Sequence, residues 1–315
     1  MPGVVVNQVP CIADQVRRPD PRVRPRVMTE LAVSFVRPRR LGWLDAPPEQ
    51  RLEHWTGLLD DAALAARLAP LAPTHLYLGS ELCEHLLPEP DTVATACSLA
   101  ADRGLALALL TPIASPAVVR ELEQSLLPGL PEGAEVVVND WGIARLLAER
   151  FPWLVAIAGR LLARMVKDPR LPGAEWAAQC RHGLRSPGLC RLLERLRIHR
   201  LELDVPLHAT IADFVGLPLP AGVHLPFFVV AKGRLCRVGS TGLKGSDRFA
   251  PGRRCRRECL HLSAVMTRPG GTDRHETLQL GNTLLARHSA PMLAAVADAV
   301  AAGHVTRLVV QGERL

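Results

Sequence analysis

Eight short apolar runs alternate along this chain with longer stretches in which leucine and alanine recur at helical spacing. Strands that are buried on both faces and separated by helices are typical of parallel sheets, whose faces the crossover helices cover. Eight such units predict a closed, TIM-like α/β barrel, with an open doubly wound sheet as the alternative. The predicted strands are residues 31–36, 74–79, 105–111, 135–140, 153–159, 200–205, 225–231 and 305–310.

The length and composition of the chain suit one globular domain. Its 315 residues are 48% hydrophobic and 22% charged, and α/β barrels of this size are commonly single domains. We therefore assign residues 29–315 to one barrel domain and residues 1–28 to a disordered N-terminal extension. The extension has no apolar stretch of signal-peptide length, and no run reaches the roughly 18 apolar residues of a membrane span, so a cytoplasmic protein is expected.

One long segment, from Cys236 to about Gly281, breaks the alternation of strands and helices. It is rich in Gly, Arg, Pro and Ser, and long irregular segments within compact domains are usually functional. We expect an irregular insert that leaves the C-terminal end of the seventh strand. Barrel active sites assemble on that face.

The spacing of the eight cysteines predicts a shared site. Cys255 and Cys259 are four residues apart, so one helical turn would bring both sulfurs to the same face. Cys83 and Cys236 each follow a predicted strand by a few residues, which places them at the C-terminal mouth of the barrel. Four thiolates from three remote segments form the ligand set of an iron–sulfur cluster, and in a reducing cytosol thiols and metal ligands are more common than disulfides.

Other interpretations of the cysteines stay open. The close pair could be a coincidence, or Cys236, Cys255 and Cys259 could bind zinc with either Cys83 or His261 in a non-catalytic binding subunit. The remaining cysteines are expected to have other roles. Cys11 lies in the N-terminal extension, Cys97 lies in a helical run as a small buried side chain, and Cys180 and Cys190 flank a polar segment where they could form a zinc or redox pair.

Several motifs occur in order along the chain from about Leu31 onward. They are residues 75–83 (HLYLGSELC), 135–142 (EVVVNDWG), 224–227 (HLPF), 234–236 (RLC), the pair Cys255 and Cys259, and residues 280–282 (LGN). In these motifs the sequence resembles the U32 (collagenase-like) peptidase family, and within it the branch that acts in ubiquinone biosynthesis without oxygen.

The resemblance implies a barrel with a 4Fe-4S cluster, held by one cysteine after the second strand and three in the later part of the chain. These positions match Cys83, Cys236, Cys255 and Cys259. It also implies a part in oxygen-independent hydroxylation of a quinone precursor, with prephenate rather than dioxygen as the source of oxygen. Members of this branch pair with a homologous second subunit, so a heterodimer is expected.

Three further residues are candidate substrate contacts at the barrel mouth. Asn139 and Asp140 end the fourth predicted strand, where their side chains could hydrogen-bond a substrate. Asp140 could instead cap the helix that follows it. Arg160, directly after the fifth strand, could offer a guanidinium fork to a dianionic donor such as prephenate, although an arginine at the start of a surface helix would explain the same residue.

The charge and the motifs of the chain bear on two other activities, RNA hydroxylation and proteolysis. The net charge of +7, part of it in groups such as Arg253, Arg254, Arg256 and Arg257, permits an RNA-hydroxylating enzyme of the same family, although nucleic acid is not the favoured partner. The same arginines could instead offset the negative charge of four thiolates. Protease activity has no support, because neither a His-Glu-x-x-His motif nor a Gly-x-Ser-x-Gly motif is present.

Overall fold

The computed structural model describes residues 29–36, 44–165, 167, 173–179, 182–233, 235–249, 255–266 and 276–313. The predicted N-terminal extension therefore lies outside the described residues, as do Cys11, Cys180, Arg234, Arg253 and Arg254. In the described part of the chain, no helix is both long enough and apolar enough to cross a membrane.

Eight parallel strands form a closed barrel. They are β1 (Glu30–Phe35), β2 (His75–Gly79), β3 (Ala106–Leu110), β4 (Glu135–Val138), β5 (Val155–Ala158), β6 (Ile198–Leu203), β7 (Ala221–Leu225) and β12 (Arg307–Gln311). Around the barrel the order is β1-β12-β7-β6-β5-β4-β3-β2. Because β1 pairs with both β2 and β12, the sheet has no free edge, which confirms the predicted barrel and excludes the open sheet.

Helices link most of the strands and cover the outside of the barrel. They are α1 (Pro48–Leu59), α2 (Ala62–Leu68), α3 (Pro90–Asp102), α4 (Pro116–Glu121), α5 (Trp141–Arg150), α6 (Ala174–Gln179), α7 (Pro187–Arg195) and α8 (Ala290–Ala301). Local sequence signals start several of them. Ser115 and Ser186 each accept a hydrogen bond from a backbone N–H of the first turn, and proline follows each serine, where its missing N–H costs nothing.

The seventh barrel strand differs from its prediction. Residues 225–231 were predicted because they form a continuous apolar run, but the barrel strand is the preceding segment, Ala221–Leu225, which contains Gly222 and His224. The Leu225–Pro226 peptide bond is cis, and the chain turns there into a separate strand, β8 (Phe227–Lys232). The apolar run therefore spans the junction between two sheets, and hydrophobicity alone did not reveal the turn.

The segment after β7 is more regular than predicted. It forms an antiparallel accessory sheet from β8, β9 (Ala264–Met266), β10 (Thr277–Leu280) and β11 (Thr283–Arg287), in the order β8-β11-β10-β9. This sheet lies between β7 and α8 in the chain, so it extends from the C-terminal end of the barrel. The loops of this sheet carry Cys236, Cys255 and Cys259.

The interior of the barrel is unusually polar. Strand residues alternate between the two faces of a sheet, and on β2 the outward Leu76 and Leu78 join the outer core while Tyr77 faces inward with small residues such as Ala32 and Ala108. Inward positions on other strands carry branched aliphatic residues such as Val137 and Ile157, as is normal for small barrels, and also charged residues. The buried polar residues of these strands include Glu202, His224 and Arg307.

Candidate functional site

Four cysteines come together where the accessory sheet meets the loop after β2. Cys259 packs in a buried cluster with Leu86 and Val238, and Cys83 and Cys236 pack against this cluster. The negative charge of a Cys255 thiolate acts on both Cys83 and Cys259. The structure thus brings all four predicted cysteines into one neighbourhood, which we call the four-thiol group (Cys83, Cys236, Cys255 and Cys259).

Backbone N–H groups point at the sulfurs. The N–H of Gly239 donates to Cys236 Sγ at 3.1 Å, and the N–H of Arg257 donates to Cys255 Sγ at 3.3 Å. The backbone of His85 makes a similar bond that favours the Cys83 thiolate. Such N–H···S bonds stabilise thiolates, and in iron–sulfur proteins they help to set the reduction potential.

Glycine leaves space beside two of the sulfurs. Gly281, with φ of +55°, forms the turn between β10 and β11, and a Cβ there would lie 3.5 Å from Cys259 Sγ and 3.9 Å from Cys236 Sγ. The carbonyl oxygen of Gly281 accepts from the N–H of Arg237 at 3.0 Å, which fastens the Cys236 loop to this turn. The absence of a side chain at this turn lets backbone approach the thiols closely.

Two of the four thiols, those of Cys259 and Cys83, do not ionise easily as they stand. Burial, followed by the charges of Cys83, Cys236 and Cys255, raises the pKa of Cys259 to about 11. Burial also raises the pKa of Cys83, with further contributions from Cys255 and Cys236. Four neighbouring thiolates therefore need a cation between them, and their donor chemistry fits a thiolate-bound iron cluster.

A single metal ion and a cluster place different demands on the spacing of the sulfurs. In a tetrahedral zinc site the sulfurs lie about 2.3 Å from the metal. Among the described residues, no three His, Cys, Asp or Glu side chains lie close enough together to hold one ion. A cubane cluster binds each cysteine through a different iron atom and so accepts ligands that are further apart.

The other cysteines lie elsewhere. Cys97 is half-buried in α3 and packs against the outer core. Cys190 is buried in α7 and is disulfide-bonded, unlike the reduced thiol expected of a cytosolic protein. Cys180 lies outside the described residues, so the predicted pair of Cys180 and Cys190 is not described by the structure.

A buried charged network forms the floor of the barrel mouth, next to the four-thiol group. Arg160, after β5, donates from Nε to Glu81 Oε1 at 2.8 Å and from one terminal nitrogen to Asp204 Oδ1 at 2.9 Å. Lys167 forms a second ion pair with Asp204. Burial and the charge of Arg160 lower the pKa of Lys167 to about 7, and the Glu81 carboxylate opposes this shift.

His224 extends this network down into the barrel. Its Nε2 lies 2.6 Å from Glu202 Oε2, and its Nδ1 lies 3.7 Å from Glu81 Oε1. Glu202 also accepts from the hydroxyl of Tyr77 at 2.7 Å, and Arg307 donates to the same hydroxyl at 2.7 Å. A continuous chain of hydrogen bonds and ion pairs therefore runs from the mouth towards the opposite end of the barrel.

One oxygen in this network has no partner among the described residues. Glu81 Oε2 is buried and accepts no hydrogen bond there, although Oε1 accepts from Arg160. Burial raises the pKa of Glu81, but the charges of Arg160 and His224 outweigh it, so the pKa lies below its ordinary value. Glu81 is therefore an ionised carboxylate that lies two residues from Cys83 in the chain. Its Oε2 is available to accept a hydrogen bond.

The three predicted substrate contacts are all engaged within the protein. Asn139 is buried, donates to the carbonyl of Thr111 at 3.0 Å and accepts from the N–H of Leu161 at 3.1 Å. Asp140 caps α5 by accepting from the N–H of Gly142 at 2.7 Å. Arg160 uses its guanidinium on Glu81, Asp204 and the carbonyl of Phe227, so its fork is already filled by the protein's own acids.

Sequence reasoning missed the acidic and basic residues of the mouth. Glu202 lies in β6 and Asp204 directly follows that strand, at alternate positions of the Leu-Glu-Leu-Asp run, and both are fully buried. Charge at alternate positions of an otherwise apolar parallel strand indicates a polar barrel interior. That signal was present in the sequence, as it was for His224 on β7.

The fold and the site define a closed α/β barrel with four thiols and a buried charged network at its C-terminal mouth. No protein-family model and no curated protein match the chain. Among solved structures, it is similar to a U32 peptidase at 13% identity and a TM-score of 0.42, over 92% of this chain and 94% of that one. It is also similar to a group IV chitinase of Ostrinia furnacalis at 10% identity and a TM-score of 0.33, over 90% and 91%. Values this low assign the chain to no family.

Proposed function

We propose that this chain is a 4Fe-4S protein that takes part in oxygen-independent hydroxylation, with Cys83, Cys236, Cys255 and Cys259 as the cluster ligands. The convergence of these four thiols from remote segments is the observation that carries the proposal. The N–H groups directed at Cys236 and Cys255 and the open space at Gly281 support it.

The finer assignment rests on the resemblance in the sequence motifs. It names ubiquinone biosynthesis as the process, a quinone precursor as the acceptor and prephenate as the source of oxygen. It also names a homologous subunit as the heterodimer partner and the cytoplasm as the location. Activity assays of this chain alone and together with the homologous subunit distinguish a catalytic chain from one that supports a catalytic partner.

The chain's own residues would serve the reaction in distinct ways. A bound cluster supplies single-electron transfer at the barrel mouth. Glu81 offers its free oxygen to a hydroxyl group of the acceptor, and His224, between Glu81 and Glu202, can hold a proton beside it. Leu82, Leu161 and Phe227 form apolar surroundings close to Glu81 that exclude water and suit a ring-bearing substrate.

Metal and sulfide analysis of protein purified without air tests the proposal. We expect iron and acid-labile sulfide in equal amounts, a brown colour, and loss of both in the Cys255→Ala variant. Cys97→Ala is the matched control, because Cys97 packs in α3 against the outer core, and it should retain full iron content. Zinc without iron or sulfide would overturn the proposal in favour of a zinc-stabilised binding subunit.

The RNA-hydroxylating alternative is separated by a binding measurement. The iron-loaded protein should bind RNA weakly, and the affinity should not fall steeply as salt is raised. Two results together would assign the cluster to RNA chemistry instead. The protein would bind RNA tightly and in a strongly salt-dependent way, and loss of the gene would leave quinone production by oxygen-deprived cells unchanged.

A further inference from the structure

A cavity of about 740 Å³ lies between the loop after Cys236 and the accessory sheet. Its lining combines apolar and cationic side chains, among them Leu235, Val238, Met266, Gln279, Arg237 and Arg248. Its volume falls within the range of about 300–1,000 Å³ typical of small-molecule sites. The cavity is therefore large enough, and suitably lined, for a ligand that has an apolar body and a charged group.

The two arginines of this cavity, Arg237 and Arg248, have side chains without hydrogen-bond or ion-pair partners in the part of the chain that the structure describes. Arg160, by contrast, is bound by Glu81 and Asp204. At this end of the barrel, the guanidinium groups of Arg237 and Arg248 can therefore bind an anion, whereas that of Arg160 is occupied.

The position of Arg237 is fixed by its own backbone. Its carbonyl accepts from the hydroxyls of Ser240 at 3.1 Å and Thr241 at 3.2 Å, and its N–H donates to the carbonyl of Gly281 at 3.0 Å. The anchored backbone holds Arg237 beside the cavity, and its planar guanidinium can bind a carboxylate through two parallel hydrogen bonds.

We infer that this cavity binds a small organic carboxylate with an apolar body. The carboxylate pairs with Arg237 and Arg248, and the body packs on Val238 and Met266. Val238 also belongs to the apolar cluster around Cys259, so the ligand would lie one side chain away from the four-thiol group. The inference adds a ligand site to the proposed function, which already names a carboxylate as the oxygen source. Binding itself does not depend on the cluster, because neither arginine belongs to the four-thiol group.

Calorimetric titration of the full chain with phenylpyruvate tests the inference, with the iron content of each preparation measured in parallel. We expect one bound molecule per chain and an affinity reduced by about tenfold or more in Arg237→Gln and in Arg248→Gln, because each removes a charge-assisted hydrogen bond. Arg120→Gln, at an exposed position in α4, is the matched control and should bind as the unaltered chain does. The neutral analogue 2-phenylethanol should bind at least about tenfold more weakly.

A second variant keeps the test decisive if an arginine variant fails to fold. Met266→Glu, on the exposed strand β9, places a negative charge in the cavity wall and should weaken phenylpyruvate binding as strongly. Equal binding of 2-phenylethanol, or no effect of any of the three changes, would overturn the inference. Loss of RNA binding in the arginine variants with no phenylpyruvate binding would also overturn it, and would assign the arginines to nucleic acid. If protein purified without air contains no iron but still binds phenylpyruvate, this inference stands and the proposed function fails.

Discussion

Arg160 and Asp204 follow neighbouring barrel strands, and a hydrogen bond of 2.9 Å joins their side chains although neither is more than 3% exposed. Each is also held from its other side. Arg160 binds Glu81 after β2, and Asp204 accepts from the N–H of Val229 in β8 at 3.3 Å. The pair therefore ties three barrel strands to the accessory sheet that carries most of the four-thiol group.

Removal of one partner from this pair should be costly. Asp204→Ala leaves Lys167 buried without this carboxylate, while Arg160 keeps its ion pair with Glu81. Breaking a buried ion pair in this way costs about 3–5 kcal/mol of unfolding free energy. Chemical denaturation followed by circular dichroism measures the loss. The solvent-exposed pair of Arg145 and Glu149 on α5 is the control. Glu149→Ala should leave the unfolding free energy nearly unchanged, and equal effects of the two variants would contradict a structural role for Asp204.

Gly159 is the subject of a second stability prediction. A Cβ at this position would lie 2.3 Å from Oδ1 of Asn139, whose side chain links the ends of β3 and β5. Gly159→Ala should therefore displace Asn139 and reduce the unfolding free energy by about 1–3 kcal/mol, as overpacking does in other cores. Gly57→Ala, in the middle of α1 with no heavy atom within 4 Å, should stabilise the chain instead. A neutral Gly159→Ala would show that Asn139 can move freely.

Much of the barrel could be predicted from sequence, because buried parallel strands are read directly as apolar runs. The exceptions are instructive. β7 carries Gly222 and His224, which are poor strand signals, while the stronger apolar run beginning at Phe227 belongs to another sheet. An apolar run predicts that a strand is buried, but it does not predict to which of two adjoining sheets the strand belongs.

The candidate site was predictable only in part for a similar reason. The spacing of the cysteines predicted that the four thiols share one site. The expectation that residues after parallel strands lie at one end of the barrel holds for Cys83 after β2, whereas Cys236 follows β8 of the accessory sheet. The spacing of residues relative to strand ends does not predict which side chains pair with each other. Arg160 was expected to face a ligand, and it instead faces Glu81 and Asp204, which are remote in sequence.

Gly281 provides a prediction about the four-thiol group. Gly281→Ala forces a side chain into a left-handed turn and adds a Cβ 3.4 Å from Cys259 Cβ. If the proposed cluster is present, we expect iron per chain to fall by about half or more, because the new methyl group takes up space beside the sulfurs of Cys259 and Cys236. Gly242→Ala is the matched control, since Gly242 also has a positive φ, of +83°, but no atom within 4 Å. Equal iron content in the two variants would show that space beside Cys259 is unimportant for loading.

His75, at the opposite end of the barrel, gives the chain a pH-dependent stability. Its Nε2 lies 2.7 Å from a terminal nitrogen of Arg307, so this ring nitrogen accepts a hydrogen bond and must be unprotonated. Burial and the charge of Arg307 lower the pKa of His75 below its ordinary value of 6.5, despite the nearby acids Glu135 and Glu30. The unfolded chain then binds the proton more tightly than the folded chain does. The unfolding free energy should therefore fall as the pH decreases below about 6.5.

The contribution of His75 to this pH dependence can be isolated by substitution. His75→Gln retains an acceptor for Arg307 but does not titrate, so its unfolding free energy should decline less between about pH 7 and about pH 5 than that of the unaltered chain. Denaturant titrations at several pH values measure the two slopes. His199→Gln, at an exposed position of β6, is the control and should reproduce the slope of the unaltered chain. A His75→Gln slope as steep as that of the unaltered chain would mean that other groups, such as the buried carboxylates of the barrel mouth, account for the acid sensitivity.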